Sequence, residues 1–252
     1  MSNIANQIVL VTGASSGIGE ATARRFSEAG AKIIIAARRE GRLKKLASEL
    51  KTDCHILPLN VRNREEVEKS LAALPDAWRE INILVNNAGL SRGLWKLHEG
   101  QHNGWEDMID TNIKGLLYVS RAVIPGMVER GRGHIINIGS IAGHEVYPNG
   151  NVYCATKHAV DALTKGMRID LVDTPLRVTT IDPGMVDTEF SEVRFYGDKE
   201  KAQHVYDGFR PLVSDDIADA VVWAASRPAH VQIAEMIVFP TAQASAMVTH
   251  RK

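Results

Sequence analysis

Tyr153 and Lys157 stand four residues apart in a stretch that reads as helix from about Asn151 to Val172. Positions four apart share a helical face, so a phenol and an ammonium can enter one pocket. A free tyrosine titrates near ~10 and is a poor base at neutral pH, but a nearby positive charge favours its phenolate. Ser140, thirteen residues earlier, could hydrogen-bond the oxygen whose proton the tyrosine moves. A tyrosine and lysine at this spacing commonly do nothing together, and it is their company that makes them informative. The chain opens with QIVLVT (Gln7 to Thr12) and continues GASSGIG (Gly13 to Gly19). A strand, a Gly-rich turn and a helix start present free N–H groups and the positive end of a helix dipole to one spot, which suits a phosphate. Glycine lets the backbone turn sharply and lets helix, strand and ligand approach closely. A turn of this kind could also be a tight connection that binds nothing.

One further motif competes. His98-Glu99-Gly100-Gln101-His102 spells HExxH, the arrangement of a zinc peptidase, which needs both histidines on one helical face. Gly93, Gly100 and Gly104 punctuate the segment and no apolar stripe flanks it, so it reads as a loop and the match as accidental. No metal is expected.

The elements that must position these residues alternate. Apolar runs at Ile8 to Val11, Lys32 to Ala36, Cys54 to Leu59, Ile81 to Val85, His134 to Ile138 (with the chain leaving the strand at Ser140), Arg177 to Ile181 and Glu235 to Phe239 read as strands. Helical patterns fill the gaps: after Gly17, at Glu40 to Lys51, Arg64 to Arg79, a long one through Trp105 and Leu116 to Glu129 that Pro125 should bend, Asn151 to Val172, Thr188 to Asp207 and Asp215 to Ser226. Such alternation predicts an α/β fold: a single-domain, doubly wound parallel sheet of about seven strands with helices on both faces. Ligands of such folds lie at the carboxyl ends of the strands. Met247 to Lys252 is expected to fray.

Composition sets bounds. The 252 residues are 44% hydrophobic and 24% charged, enough for one sizeable core. Thirty basic and thirty acidic residues leave no formal net charge, which points away from nucleic acid and from an acidic membrane surface. No apolar run reaches the ~18 residues of a membrane span, and Met1 to Asn6 is not a signal peptide. Cys54 and Cys154 have neither metal nor redox spacing, so reduced thiols and a cytoplasmic location are expected.

Over about residues 7 to 240 the chain resembles the short-chain dehydrogenase/reductase family. The resemblance is carried by TGASSGIG (Thr12 to Gly19), NNAG (Asn86 to Gly89), Asn112, Ser140, YCATK (Tyr153 to Lys157) and PGMVDT (Pro183 to Thr188). It implies an enzyme with a catalytic tetrad: Tyr153 as acid/base, Lys157 lowering its pKa beside an oxidised nicotinamide and holding the ribose, Ser140 orienting substrate, Asn112 holding a relay water. It also implies cofactor contacts from Gly13, Ser15, Gly17, Ile18 and Gly19 in the turn, from Asn60 and Val61, and from Asn87, Ala88 and Gly89. Pro183, Gly184, Val186 and Thr188 complete the set, the last two gripping the carboxamide. Asn60 departs from the family's usual aspartate but keeps an acceptor.

The nicotinamide cofactor is expected to be NADP. An acid near the end of the second strand would select NAD, yet that place reads Ala36-Ala37-Arg38-Arg39, and two guanidiniums suit a 2′-phosphate. The bland alternative makes both arginines a solvated loop start. Gly126 to Gly143, Gly150 to His158, Thr188 to Asp198 and Pro228 to Val231 are similar to bacterial NADP-dependent 3-hydroxy acid dehydrogenases. That likeness implies hydride transfer at C3 of small acids such as serine, L-allo-threonine or 3-hydroxypropionate/malonic semialdehyde, in a homotetramer built through two central helices. Residues 188–212 are expected to form a substrate loop or lid. A substrate carboxylate needs a partner in a closed cleft; Arg194 is favoured over Arg92. The alternatives are a reductase of larger ketones or 3-oxoacyl thioesters and, outside enzymes, an NADP(H)-sensing module, which would not need the tetrad.

Overall fold

The computed structural model describes residues 4–252, so the reading of Met1 to Asn6 lies partly outside the described residues. Nine strands alternate with helices: β1 Ile8–Thr12, α1 Gly17–Glu28, β2 Lys32–Ala37, α2 Glu40–Glu49, β3 Cys54–Pro58, α3 Arg64–Ala72, α4 Asp76–Arg79, β4 Ile81–Asn86, α5 His102–Ile109, α6 Leu116–Glu129, β5 His134–Ile138, α7 Asn151–Asp170, β6 Arg177–Pro183, β7 Val186–Asp187, α8 Glu189–Arg194, α9 Lys199–His204, β8 Leu212–Val213, α10 Ser214–Ala225 and β9 Glu235–Val238. Seven of them form one sheet in the order β3-β2-β1-β4-β5-β6-β9, with every pair parallel. The order reverses between β1 and β4, which opens a crevice at their carboxyl ends.

Both faces of the sheet are covered because successive strand residues point opposite ways. Val9 and Val11 of β1 pack with Phe26 of α1, Leu43 of α2 and Val221 of α10. Ile8 and Leu10 pack with Val67 of α3 and with Val119, Val123 and Met127 of α6. A parallel strand buried on both sides must be apolar at every position, and β1 is fully buried throughout.

Four elements differ from expectation. The helix expected over Arg64 to Arg79 ends at Ala72 and restarts at Asp76, because Pro75 disfavours helical backbone at the residue before it. The long helix before Glu129 is irregular at Asp110–Gly115, a π-helical segment between α5 and α6, while α6 continues through Pro125. The helix expected over Thr188 to Asp207 breaks into α8 and α9 at Tyr196 and Gly197, whose φ angles are 55° and 92°. The C-terminal tail, expected to fray, is tied down: the Lys252 amide donates to the Gly208 carbonyl at 2.9 Å and Arg251 donates to the carbonyls of Asp207 and Val205.

Candidate active site

The crevice is a cleft of about 310 Å³ running from the β1–α1 turn to the ends of β5 and β6. At its first end α1 starts without a side-chain cap on Ser16, so its leading N–H groups remain as donors beside Gly17 and Ile18. Gly13 and Gly17 hold φ at 67° and 56°, the left-handed region that glycine adopts at least cost. Gly19 does not line the cleft. Its role is packing, since a Cβ there would sit 2.5 Å from the Gly13 carbonyl oxygen. Asn87 clamps the same turn, its amide donating to the Thr12 carbonyl at 2.9 Å, while Thr12 Oγ1 accepts from the amides of Asn87 and Ala88 at 3.0 Å each.

At the rim after β2 the two arginines behave differently. Arg38 is exposed and has no ion pair or hydrogen bond among the described residues. Arg39 turns back on the turn, donating to Ser15 Oγ at 3.1 Å and Ser16 Oγ at 2.6 Å, and pairs with Glu189 at 2.9 Å. Arg42 pairs with the same carboxylate. Burial works against ionisation of Glu189, but the hydrogen bonds from Arg42 and Arg39 outweigh it and hold the carboxyl below its usual range. Glu189 is the one acid among the described lining residues, and Arg38, Arg39, Arg62 and Lys157 also line the cleft. An uncapped helix start, close-packed glycines and this excess of guanidinium form a donor set that fits a phosphorylated dinucleotide.

At the other end β5 stops at Ile138, two residues before the expected Ser140. Gly139 still donates to the Ile181 carbonyl at 2.8 Å, but the Ser140 amide is captured by Asp182 Oδ1 at 3.1 Å, which takes it off the ladder. Ser140 then caps a 3₁₀ turn over Ile141–Gly143, its Oγ accepting from the Ala142 amide. Tyr153 and Lys157 emerge from the first turns of α7 and are both buried. Burial raises the Tyr153 pKa well above its ordinary value; the Arg194 guanidinium and a hydrogen bond with Ser140 act in the opposite direction. Burial lowers Lys157 to about 8, countered by the charge of Asp182, and its Nζ donates to the Ile138 carbonyl at 2.9 Å. Lys157 Nζ lies 5.9 Å from the centre of the Tyr153 ring. Desolvation is the largest influence on both groups, and at Tyr153 the charge of Arg194 opposes it.

Asn112 sits in the π-helical segment and is likewise absent from the lining. Its side chain clamps the loop after β4, accepting from the Leu90 amide and donating to the Leu90 carbonyl, each at 2.9 Å, and donating to Thr156 Oγ1 at 3.0 Å. A relay water would therefore have to use the main chain of the bulge, a distortion often found at functional sites. Of the remaining sequence candidates, Gly13, Ser15, Gly17, Ile18, Asn60, Val61, Asn87, Ala88, Gly89, Pro183, Gly184, Val186 and Thr188 all line the cleft.

Arg194 reaches the tyrosine from α8. Its guanidinium carbon lies 5.3 Å from the Tyr153 ring centre and 4.9 Å from that of Phe190, and it donates to Tyr147 Oη at 3.1 Å. Its Nε is buried and has no hydrogen-bond partner. Arg92 is committed elsewhere, to Asp107 at 3.0 Å and to the Val193 carbonyl at 2.9 Å. The HExxH segment forms no single helix: His98 and Glu99 lie in a 3₁₀ turn and His102 starts α5 beyond Gly100.

Sequence reasoning missed Asp182, Tyr147, Glu189 and Thr156. Asp182 immediately precedes PGMVDT, so a carboxylate at a strand end was a readable signal. Tyr147 enters through a loop, and no spacing announces it.

The model of the family described as short chain dehydrogenase matches residues 7–198. The NADP-dependent 3-hydroxy acid dehydrogenase YdfG of Salmonella typhi is 52% identical over 246 residues, covering 97% of this chain and 99% of that protein. The serine 3-dehydrogenase of Agrobacterium fabrum is 42% identical, covering 94% and 95%. Among solved structures, the closed form of serine dehydrogenase complexed with NADP+ superposes with a TM-score of 0.92 at 49% identity, over 98% of this chain and 100% of the other.

Proposed function

The chain belongs to the short-chain dehydrogenase family, and from that premise we propose that it is an NADP-dependent oxidoreductase acting at C3 of small 3-hydroxy acids such as serine, L-allo-threonine or 3-hydroxypropionate. The single observation that carries the acid part of this reading is the guanidinium of Arg194 held 5.3 Å from the ring of Tyr153.

Bound NADP supplies or accepts the hydride. Arg38, free of any ion pair among the described residues, and the start of α1 would hold the cofactor's phosphates. Tyr153 takes the proton of the C3 hydroxyl in oxidation and returns it in reduction. Ser140 holds the same oxygen, oriented through its amide by Asp182. Lys157 would hold the cofactor's ribose, and Asn112 keeps the loop after β4 in place. Arg194 takes the substrate carboxylate, which a closed cleft would otherwise leave unpaired at high cost. Residues 188–212, carrying Phe190, Val193 and Arg194, act as the lid that excludes water.

Exposed apolar side chains on α6 and at the end of α7, among them Leu117, Val128 and Ile169, support a homotetramer built through these helices. Among the described residues no helix is long and apolar enough to cross a membrane. Both cysteines are free, which supports a cytoplasmic location. The test is a panel of serine, L-allo-threonine, 3-hydroxyisobutyrate, 3-hydroxypropionate and simple secondary alcohols, followed by NADPH formation. A preference for the uncharged alcohols overturns the reading.

A further inference from the structure

The carbonyls at the end of α8 are held from outside the lid by two consecutive residues. Arg92 donates to the carbonyl of Val193 at 2.9 Å, and the Gly93 amide donates to the carbonyl of Arg194 at 2.8 Å. The Val193 carbonyl also accepts from the Tyr196 amide at 3.3 Å, and a guanidinium at such a helix end meets the negative end of the peptide dipoles. The same guanidinium lies 5.3 Å from the ring of Tyr196, just past the end of α8. Arg92 thus contacts the chain on both sides of Arg194, at Val193 and Tyr196.

Arg92 is itself fixed. Its Nε donates to Asp107 Oδ2 at 3.0 Å, and the other oxygen of Asp107 accepts from Arg62 at 2.5 Å. The side chains of Arg92 and Asp107 are only 21% and 24% exposed, so this pair is screened less than an ordinary surface pair. Arg62 lines the cleft next to Asn60 and Val61. The path Arg62–Asp107–Arg92–Val193 therefore runs from the cofactor cleft to the helix that presents Arg194.

We propose that Arg92, braced by Asp107, is a positioning residue for substrate recognition: it sets the placement of α8 so that the Arg194 guanidinium stays over Tyr153. It acts on the carboxylate of the substrate through Arg194 and makes no contact with it. The proposal rests on Arg194 being the carboxylate anchor.

The test is a double-mutant cycle on the whole enzyme with NADP, using Arg92→Met and Arg194→Met, each assayed with L-allo-threonine and with an uncharged secondary alcohol. Arg92→Met should lower kcat/KM for the acid about 5- to 20-fold, mainly through KM, and change the alcohol less than about twofold, since about 1–2 kcal/mol of positioning is at stake. In the Arg194→Met background the same change should cost less than about twofold further, because nothing remains to be positioned. Equal losses on acid and alcohol, or an undiminished acid loss in the Arg194→Met background, overturn the proposal. An Arg194→Met variant that keeps full efficiency on the acid overturns the anchor reading instead, and is recognised from that single variant. Should Arg92→Met fail to fold, Asp107→Asn weakens the same brace from its far side and must show the same acid-selective loss.

Discussion

The Arg194 guanidinium lies over the Tyr153 ring, 5.3 Å from its centre, although the two residues come from different elements, α8 and α7, and only Tyr153 lines the cleft itself. Its charge opposes the effect of burial on the phenol, but burial prevails, so the guanidinium bears chiefly on substrate binding. Replacement by methionine should lower efficiency on L-allo-threonine by one to three orders of magnitude, as loss of ~1.5–4 kcal/mol would give, and spare an uncharged secondary alcohol. Steady-state kinetics on both substrates decide it, since a uniform loss would mean only lid damage.

Tyr153→Phe should bind NADP with unchanged affinity and lose activity by ~10²-fold or more, because the phenol hydrogen is the one transferred. Fluorescence titration with NADPH separates binding from turnover. Full turnover in this variant would remove Tyr153 from the mechanism.

Burial raises the Tyr153 pKa, so the phenol is protonated at neutral pH. Reduction, which needs the proton, should be flat from about pH 6 to 8, whereas oxidation, which needs the phenolate, should climb with pH across the same range. Profiles of kcat/KM in the two directions check this; an oxidation rate independent of pH contradicts it.

Arg38→Asp should shift cofactor preference from NADP towards NAD by at least tenfold. A charged hydrogen bond is worth ~1.5–3 kcal/mol, and the substitution adds repulsion to the 2′-phosphate. Arg39 is the less informative target because it also holds Ser15, Ser16 and Glu189. Equal catalytic efficiency of the unmodified protein with NAD and NADP would falsify the assignment.

His134 in β5 is buried, with Nε2 2.7 Å from Thr179 Oγ1, and desolvation pushes its pKa well below the ordinary value, assisted by the charge of Arg177. The folded protein therefore keeps it neutral while the unfolded chain takes up a proton below about pH 6.5, so folding stability falls as pH drops. From pH 6.5 to 5.5 the loss from this group is at most about 1 kcal/mol. Urea unfolding of the natural protein and of His134→Gln at pH 7 and 5.5 should show a shallower decline in the variant; equal slopes would rule the histidine out.

Motif residues proved legible where chemistry and backbone geometry are local. The glycines at 13, 17 and 19, the i, i+4 pair of Tyr153 and Lys157, and the apolar strands each follow from constraints acting within a few residues. Helix breaks were less legible: Pro75 and Gly197 were visible, but whether the chain bends, stops or restarts depended on what it packs against. The π-helical distortion around Asn112 carried no sequence mark, and the side chain within it bonds to Leu90, twenty-two residues away.

The sequence by itself determined a doubly wound sheet, a glycine-rich turn at its crevice and a tyrosine–lysine pair on one helical face, because periodicity and spacing are properties of the local chain. Tertiary structure alone decided what those groups experience. The environment of Tyr153 depends on burial and on Arg194, the path of Ser140 on Asp182, and the division of labour between Arg38 and Arg39 on Glu189. Desolvation and charge pairing act through space at distances of a few ångströms, and which charges come that close is settled only when the elements pack.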